Sequence, residues 1–283
     1  MLLPEFKSER RASTTIWVSR SITDPTFVDA LADADGLLKD PKCQIIKDQT
    51  KIKVGRIALS ITGEIRWLYL KRYNAFSLRY KLLSPFFRSG AVRALEGAVL
   101  LAQAKIPSAK ALAGAEERAF GILQRSVFVT EEITGAKTAD AYWIEDLRNR
   151  QGRAGFKVRR LFLSELAALF HNLHARRTYH NDLKDANIMA LPGENNESVK
   201  LFLLDLEGVR RCRYLSRRRK IKNLMQIYRT LGRHLSRSQQ LFFLNQYLKS
   251  PPPSRKLARV LIERVLDRTR RLDALKVRAR GTA

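Results

Sequence analysis

Cysteine is close to missing from this chain: its 283 residues include two, Cys43 and Cys212. Two thiols so far apart build neither a disulfide framework nor a cysteine zinc site, and both are expected to be reduced. Histidine is nearly as scarce, at four residues. His171 and His174 stand at i, i+3 with no third ligand near them in sequence, and read as ordinary helix residues. Long apolar runs are lacking as well, residues 98–102 being typical of the longest. The ~18 uninterrupted apolar residues of a membrane span are therefore excluded. The opening Met1-Leu2-Leu3-Pro4-Glu5 does not follow the basic-then-apolar order of a secretion signal, so a cytoplasmic chain is expected.

Acidic residues are the largest deficit. Against 54 Lys and Arg stand 27 Asp and Glu, a formal net charge of +27 with a sequence pI near 10.7. The excess gathers in Arg210-Arg211-Cys212-Arg213 and Arg217-Arg218-Arg219-Lys220, and continues toward the C-terminus. Such a surface attracts polyanions, which makes nucleic acid, anionic phospholipid and acidic glycolipid the candidate partners. The hydrophobic share of 45% is that of an ordinary globular protein, and the length fits two lobes of one domain better than two unrelated domains.

What the chain does have is a dense polar segment, Tyr179-His180-Asn181-Asp182-Leu183-Lys184-Asp185-Ala186-Asn187-Ile188. An Asp, a Lys two residues on and an Asn five residues on suit phosphoryl transfer, which runs through a loose transition state and needs positioning and charge neutralisation. Asp182 would orient an acceptor hydroxyl and take its proton. Lys184 offers a point charge to the transferring phosphate, and Asn187 an amide oxygen to magnesium, which prefers hard oxygen ligands. Leu161, Leu166, Leu169, Phe170 and Leu173 recur at helical spacing and predict a helix over 158–175 before the segment. After it, Leu201-Phe202-Leu203-Leu204 reads as a buried strand that delivers the carboxylate of Asp205.

This set resembles the protein-kinase-like superfamily and, more narrowly, the bacterial lipopolysaccharide core kinases, which phosphorylate heptose or Kdo sugars. The pattern H-R-D-L-x-x-x-N is matched at His180, Asp182, Leu183 and Asn187, with Asn181 in place of the Arg. In protein kinases that Arg commonly pairs with a phosphorylated activation loop, so its replacement argues against that switch. The resemblance implies ATP and Mg2+ as cofactors, Asp205 as the metal-binding Asp of a D-F-G, and His180 as a brace for the loop. Glu207 stands where that motif has Gly, which leaves open a direct role on the metal.

The N-terminal half supplies the matching parts. Residues 65–71 read as a strand ending in Lys71, where kinases place the Lys that holds the α- and β-phosphates. Strands are expected over 44–47 and 53–61, joined around Asp48-Gln49-Thr50-Lys51 in the place of the phosphate-covering loop. No G-x-G-x-x-G occurs there, so phosphate contact falls to backbone amides and to Thr50 or Lys51. A helix over 89–103 carries Ala91, Ala94, Leu95, Ala98, Val99 and Ala102 on one face. Its Glu96 lies in an Arg-Ala-x-Glu stretch similar to that of the lipopolysaccharide kinases, which implies that Glu96 fixes Lys71. The strand over 126–133 reads as the hinge, its backbone at 130–133 facing an adenine.

Helices are expected over 223–233 and 238–248, then a basic amphipathic one over 255–278 beyond Pro251-Pro252-Pro253, suited to capping a lobe or lying on a membrane. Residues 192–198 form a polar turn. The fold class expected is α+β, a two-lobed protein-kinase-like fold with an N-terminal antiparallel sheet plus helix and a mostly helical C-terminal lobe. An extension over 1–40 precedes a nucleotide-binding lobe over 41–133 and a catalytic lobe over 134–283. The expected activity is an ATP- and magnesium-dependent kinase of the lipopolysaccharide inner core, peripheral on the cytoplasmic face of the inner membrane. Its partners would be lipid A-linked acceptor and the anionic membrane surface. A kinase acting on protein or a small molecule, or a non-catalytic kinase fold binding nucleic acid, are the alternatives.

Overall fold

The protein is described by a computed structural model that covers residues 3–75, 77–194 and 197–248, with positions 260, 263, 265, 267 and 269. The chain divides into two compact units. One comprises Met1–Gln103, Ser108–Thr134 and Asp205–Gly208; the other comprises Ala104–Pro107, Gly135–Leu204 and Val209–Ala283.

In the first unit, apolar and polar residues alternate along most strands, which present one face to a core, while the strand Gln44–Gln49 is exposed along its length. The strands β1 (Phe6–Arg11), β2 (Thr14–Ser19), β3 (Gln44–Gln49), β4 (Ile52–Ile61), β5 (Glu64–Asn74), β6 (Ala111–Ala119) and β7 (Ile122–Glu131) form one antiparallel sheet in the order β1-β2-β6-β7-β5-β4-β3. Residues 1–40, set apart above as an extension, fall in this unit and supply β1 and β2 with the helices α1 (Pro25–Ala32) and α2 (Ala34–Lys39). Phe27, Val28, Leu31 and Leu38 of these helices share one core with Ile16, Ile57, Leu68, Leu70 and Val127 of the sheet. Asp24 and Asp33 start the two helices by accepting from the amides of Thr26 and Gly36, each at 2.9 Å.

The following segment holds α3 (Leu78–Leu83), a 3-10 turn at Ser84–Phe86 and α4 (Gly90–Gln103). Ala91, Ala94, Leu95, Ala98 and Val99 are buried on α4, as the spacing predicts, and α4 packs on β6, β7 and the 3-10 turn Leu206–Gly208. Close approach depends on small residues: a Cβ at Gly114 of β6 would lie 2.8 Å from Leu95 Cδ1, and one at Gly90 would lie 2.5 Å from the Tyr73 ring.

The second unit is built on α6 (Gly152–Ala175), which follows β8 (Lys137–Thr138), α5 (Ala139–Ala141) and a π-helical turn at Tyr142–Leu147. Phe162, Leu163, Leu166, Leu169, Phe170 and Leu173 form its buried stripe. Then come β9 (Thr178–His180), β10 (Ile188–Pro192), β11 (Val199–Leu203), β12 (Val209–Arg211), α7 (Arg217–Arg229) and α8 (Arg237–Tyr247). Two small antiparallel sheets, β11-β10-β8 and β12-β9, fix both ends of the 181–187 loop, and α8 packs along α6 with Phe243 edge-on to Phe170 at 5.8 Å. The turn expected at 192–198 joins β10 to β11, with Asn195 and Asn196 outside the described residues. Helix α7 begins at Arg217, ahead of the 223 expected, because Ser216 caps it. Most of the helix expected over 255–278 lies outside the described residues; its described positions are helical, with Val265 and Thr269 buried.

Candidate active site

Two polar clusters carry the residues singled out by sequence, one in each unit. In the first unit, Lys71 sits midway along β5, opposite Val54 of β4 and Phe128 of β7. Leu70 faces the apolar core on one side of β5; by alternation Lys71 points to the other. Its ammonium makes a close ion pair with Asp205 and lies 3.8 Å from Glu207 Oε1 and 5.0 Å from the centre of the Tyr73 ring. Asp205 reaches it from a left-handed backbone, φ +54°, a conformation that costs an Asp roughly 1 kcal/mol and is held by its surroundings. Part of that hold is the 3-10 turn, in which Gly208 N donates to Asp205 O at 3.0 Å. Glu207 also faces Arg93 at 3.6 Å. Burial pushes the Glu207 carboxyl up despite the opposing pull of Lys71, and burial, with Glu207 and Asp205 nearby, pushes the Tyr73 hydroxyl well above its usual value.

One expectation is corrected here. Glu96 does not pair with Lys71; it pairs with Arg88, which precedes α4. Lys71 has a single charge, and the Asp205–Gly208 turn already brings two carboxylates to it, while Arg93, one helical turn before Glu96, takes the Glu207 side. Thr50 and Lys51 form the two-residue turn between β3 and β4, an exposed tip whose carbonyls accept from Asn74 of β5, Thr50 O from Nδ2 and Lys51 O from N, both at 3.0 Å. In the segment read as the hinge, the amides of Glu131 and Glu132 donate to Lys110 O and Trp67 O, each at 2.9 Å.

In the second unit, the 181–187 loop folds around Asp182. Lys184 Nζ lies 2.8 Å from Asp182 Oδ2. The Asn187 side-chain amide donates to Asp182 O at 2.7 Å and approaches Oδ2 at 3.5 Å. Asp182, Lys184 and Asn187, grouped by spacing alone, are thus brought together. His180 is fully buried and braces the loop: Nδ1 accepts from Asp182 N at 3.2 Å, and Nε2 donates to Leu204 O at 3.1 Å.

Sequence reasoning missed the second support of this loop. Gln226 of α7 donates to Asn181 O at 2.9 Å and to Asp182 Oδ1 at 3.4 Å, while its Oε1 accepts from Leu183 N at 3.2 Å. Asn223, one turn earlier and fully buried, donates to His180 O at 2.6 Å and to Gln226 Oε1 at 3.0 Å. Its oxygen faces His174 Nε2 at 3.2 Å, and His174 Nδ1 meets the Tyr247 hydroxyl at 2.8 Å. The signal was present: Asn223 and Gln226 are amides at i, i+3 beside the apolar Leu224 and Ile227.

The donors fit magnesium better than a zinc-type ion. Among the described residues, no group of three or more His, Cys, Asp or Glu is arranged to hold a metal. Magnesium asks for less, one or two carboxylates with substrate phosphates completing its shell. Each unit, taken by itself, holds one oxygen donor of that type: the Asp205 carboxylate, paired with Lys71, in the first, and the side-chain amide of Asn187, its nitrogen on Asp182 O, in the second.

A family model described as "Lipopolysaccharide kinase (Kdo/WaaP) family" matches residues 49–247. Among solved structures, "WaaP in complex with acyl carrier protein" superposes with a TM-score of 0.65 at 17% sequence identity, covering 89% of this chain and 98% of that one. At that identity the likeness establishes the fold, a kinase-like one. No curated protein matches the sequence.

Proposed function

We infer the activity from one premise: the chain belongs to the lipopolysaccharide kinase (Kdo/WaaP) family, and is therefore a phosphotransferase. The finer reading is transfer of a phosphoryl group from ATP to a heptose or Kdo hydroxyl of the lipopolysaccharide inner core, at the cytoplasmic face of the inner membrane.

The observation that carries this reading is the convergence of Lys184 and Asn187 on Asp182. Asp182 orients the acceptor hydroxyl and takes its proton as the new O–P bond forms and the bond to the leaving ADP breaks. Lys184 holds the Asp182 carboxylate and supplies positive charge to the phosphoryl group in transfer. Lys71 is assigned to the nucleotide phosphates, and the Thr50–Lys51 turn to the phosphate-covering loop. Asn187 and Asp205 are the residues assigned to magnesium, which when bound neutralises charge on phosphate oxygens. Glu96, whose carboxylate pairs with Arg88, is assigned no direct contact with the nucleotide.

Asp182→Ala is expected to abolish transfer of labelled phosphate from ATP to core oligosaccharide while the thermal midpoint stays close to wild type. Asp182 is half-exposed, so folding asks little of it. Mass spectrometry of lipopolysaccharide from cells with and without the protein identifies the sugar: a missing phosphate is expected, and an unchanged core would overturn the reading.

A further inference from the structure

Among the described residues, large apolar side chains stand exposed at one edge of the first unit. Leu82, Leu83, Phe86 and Phe87 are exposed along the end of α3 and the turn after it, Phe86 by 82%. Phe120, at the tip of the β6–β7 hairpin, is fully exposed, at 105%. It stands in the turn with φ +50°, followed by Gly121 at +80°, a left-handed position that a bulky aromatic rarely takes. Polar and small residues fill such a turn at lower cost.

The two segments are stitched into one edge. Arg118 donates to Ser84 O at 3.2 Å, Gly121 O at 3.0 Å and Phe87 O at 3.4 Å. Leu123 N donates to Ser84 Oγ at 2.8 Å. The ions around the edge are largely balanced in place: Arg88 pairs with Glu96, Arg118 with Glu116 and Arg125 with Glu117, while Arg72 and Arg93 turn to Asp35 and Glu207. The positive excess belongs to the chain as a whole, which carries a net charge of +27.

Protruding aromatic and aliphatic tips on a strongly basic chain are what an anionic lipid leaflet accommodates: rings enter the acyl boundary while Lys and Arg stay among headgroup phosphates. A protein groove would serve the apolar tips equally well, but the chain's net charge of +27 favours an anionic lipid surface. We propose that this edge, with Phe86, Phe87 and Phe120 at its tips, docks the enzyme on an anionic phospholipid bilayer. The proposal rests on the lipid-linked acceptor of the preceding section for its purpose; its measurement stands apart.

The test is flotation of the full-length protein with vesicles of phosphatidylcholine, with and without phosphatidylglycerol. Phe86→Ser combined with Phe120→Ser is expected to lower partitioning onto the anionic vesicles by about tenfold or more. Phosphoryl transfer to a lipid-free core oligosaccharide should stay at the wild-type rate. Separately, Phe120→Trp is expected to give indole fluorescence quenched by brominated lipids beyond the quenching of wild type. Unchanged flotation of the double variant, or no added quenching in Phe120→Trp, would overturn the docking edge. If the wild type phosphorylates no core sugar yet the double variant loses its vesicles, the edge stands and the assigned activity falls.

Discussion

Lys71 holds one positive charge against two carboxylates, and the geometry around it follows from that imbalance. Asp205 takes the close pair, Glu207 the longer one, and Arg93 balances the remainder. Asp182 has the opposite problem, a single carboxylate that must keep one orientation on a loop. Gln226 is the positioning residue for it, since one amide grips both Asp182 Oδ1 and the Leu183 peptide. Gln226→Ala is expected to lower kcat by about ten- to a hundredfold with little change in KM, at a stability cost of roughly 1 kcal/mol. Gln226→Glu keeps the acceptor for Leu183 N but replaces the donor to Asp182 Oδ1 by a like charge, so it is expected to lose kcat at least as far as Gln226→Ala while retaining more of the stability.

At the scale of elements, the α6–α8 contact stores a pH dependence. Burial lowers His174 from 6.5 to about 4, against the opposing effect of its bond to Asn223. As pH falls below 6.5 the unfolded chain binds a proton that the native chain refuses until about pH 4. The stability His174 contributes is therefore complete above pH 6.5 and lost on acidification toward pH 4, by roughly 3 kcal/mol at most. Urea unfolding across that range should show the slope in wild type and lose it in His174→Gln. Helix α7 holds a different tension, with four cations, Arg217-Arg218-Arg219-Lys220, at its N-terminal end, where the helix dipole disfavours them. Replacing the exposed Arg217 and Arg218 by Glu should raise stability by about 0.3–1 kcal/mol each. The same change should weaken flotation with anionic vesicles. Two opposite signs in one variant would mark these arginines as kept for binding; unchanged flotation would remove them from it.

For the whole molecule, a net charge of +27 and an apolar edge predict two separable parts of membrane affinity. The electrostatic part is screened as salt shortens the Debye length from about 10 Å at 0.1 M to about 3 Å at 1 M. The apolar part is not. Vesicle binding by wild type should fall steeply with salt to a plateau, and Phe86→Ser with Phe120→Ser should remove the plateau while leaving the slope. A wild type that loses all binding at high salt would leave charge as the whole of the attachment.

The sequence by itself determined the grouping of the loop residues and the elements that carry them. Asp182, Lys184 and Asn187 lie within a few residues of one another, so local spacing brings them together, and the period-2 and period-3.6 patterns marked β5, α4 and α6 because each buries one face. Tertiary structure decided which distant groups meet. The 3-10 turn Leu206–Gly208 packs on α4, giving Lys71 to Asp205 and Glu207 and leaving Glu96 to Arg88. Gln226 and Asn223 reach the 181–187 loop only once α7 has folded beside it, and β1 and β2 join the sheet through a pairing with β6 that crosses most of the first unit's sequence. Contacts of that kind are set by packing between faces, and a linear pattern records the faces without recording their partners.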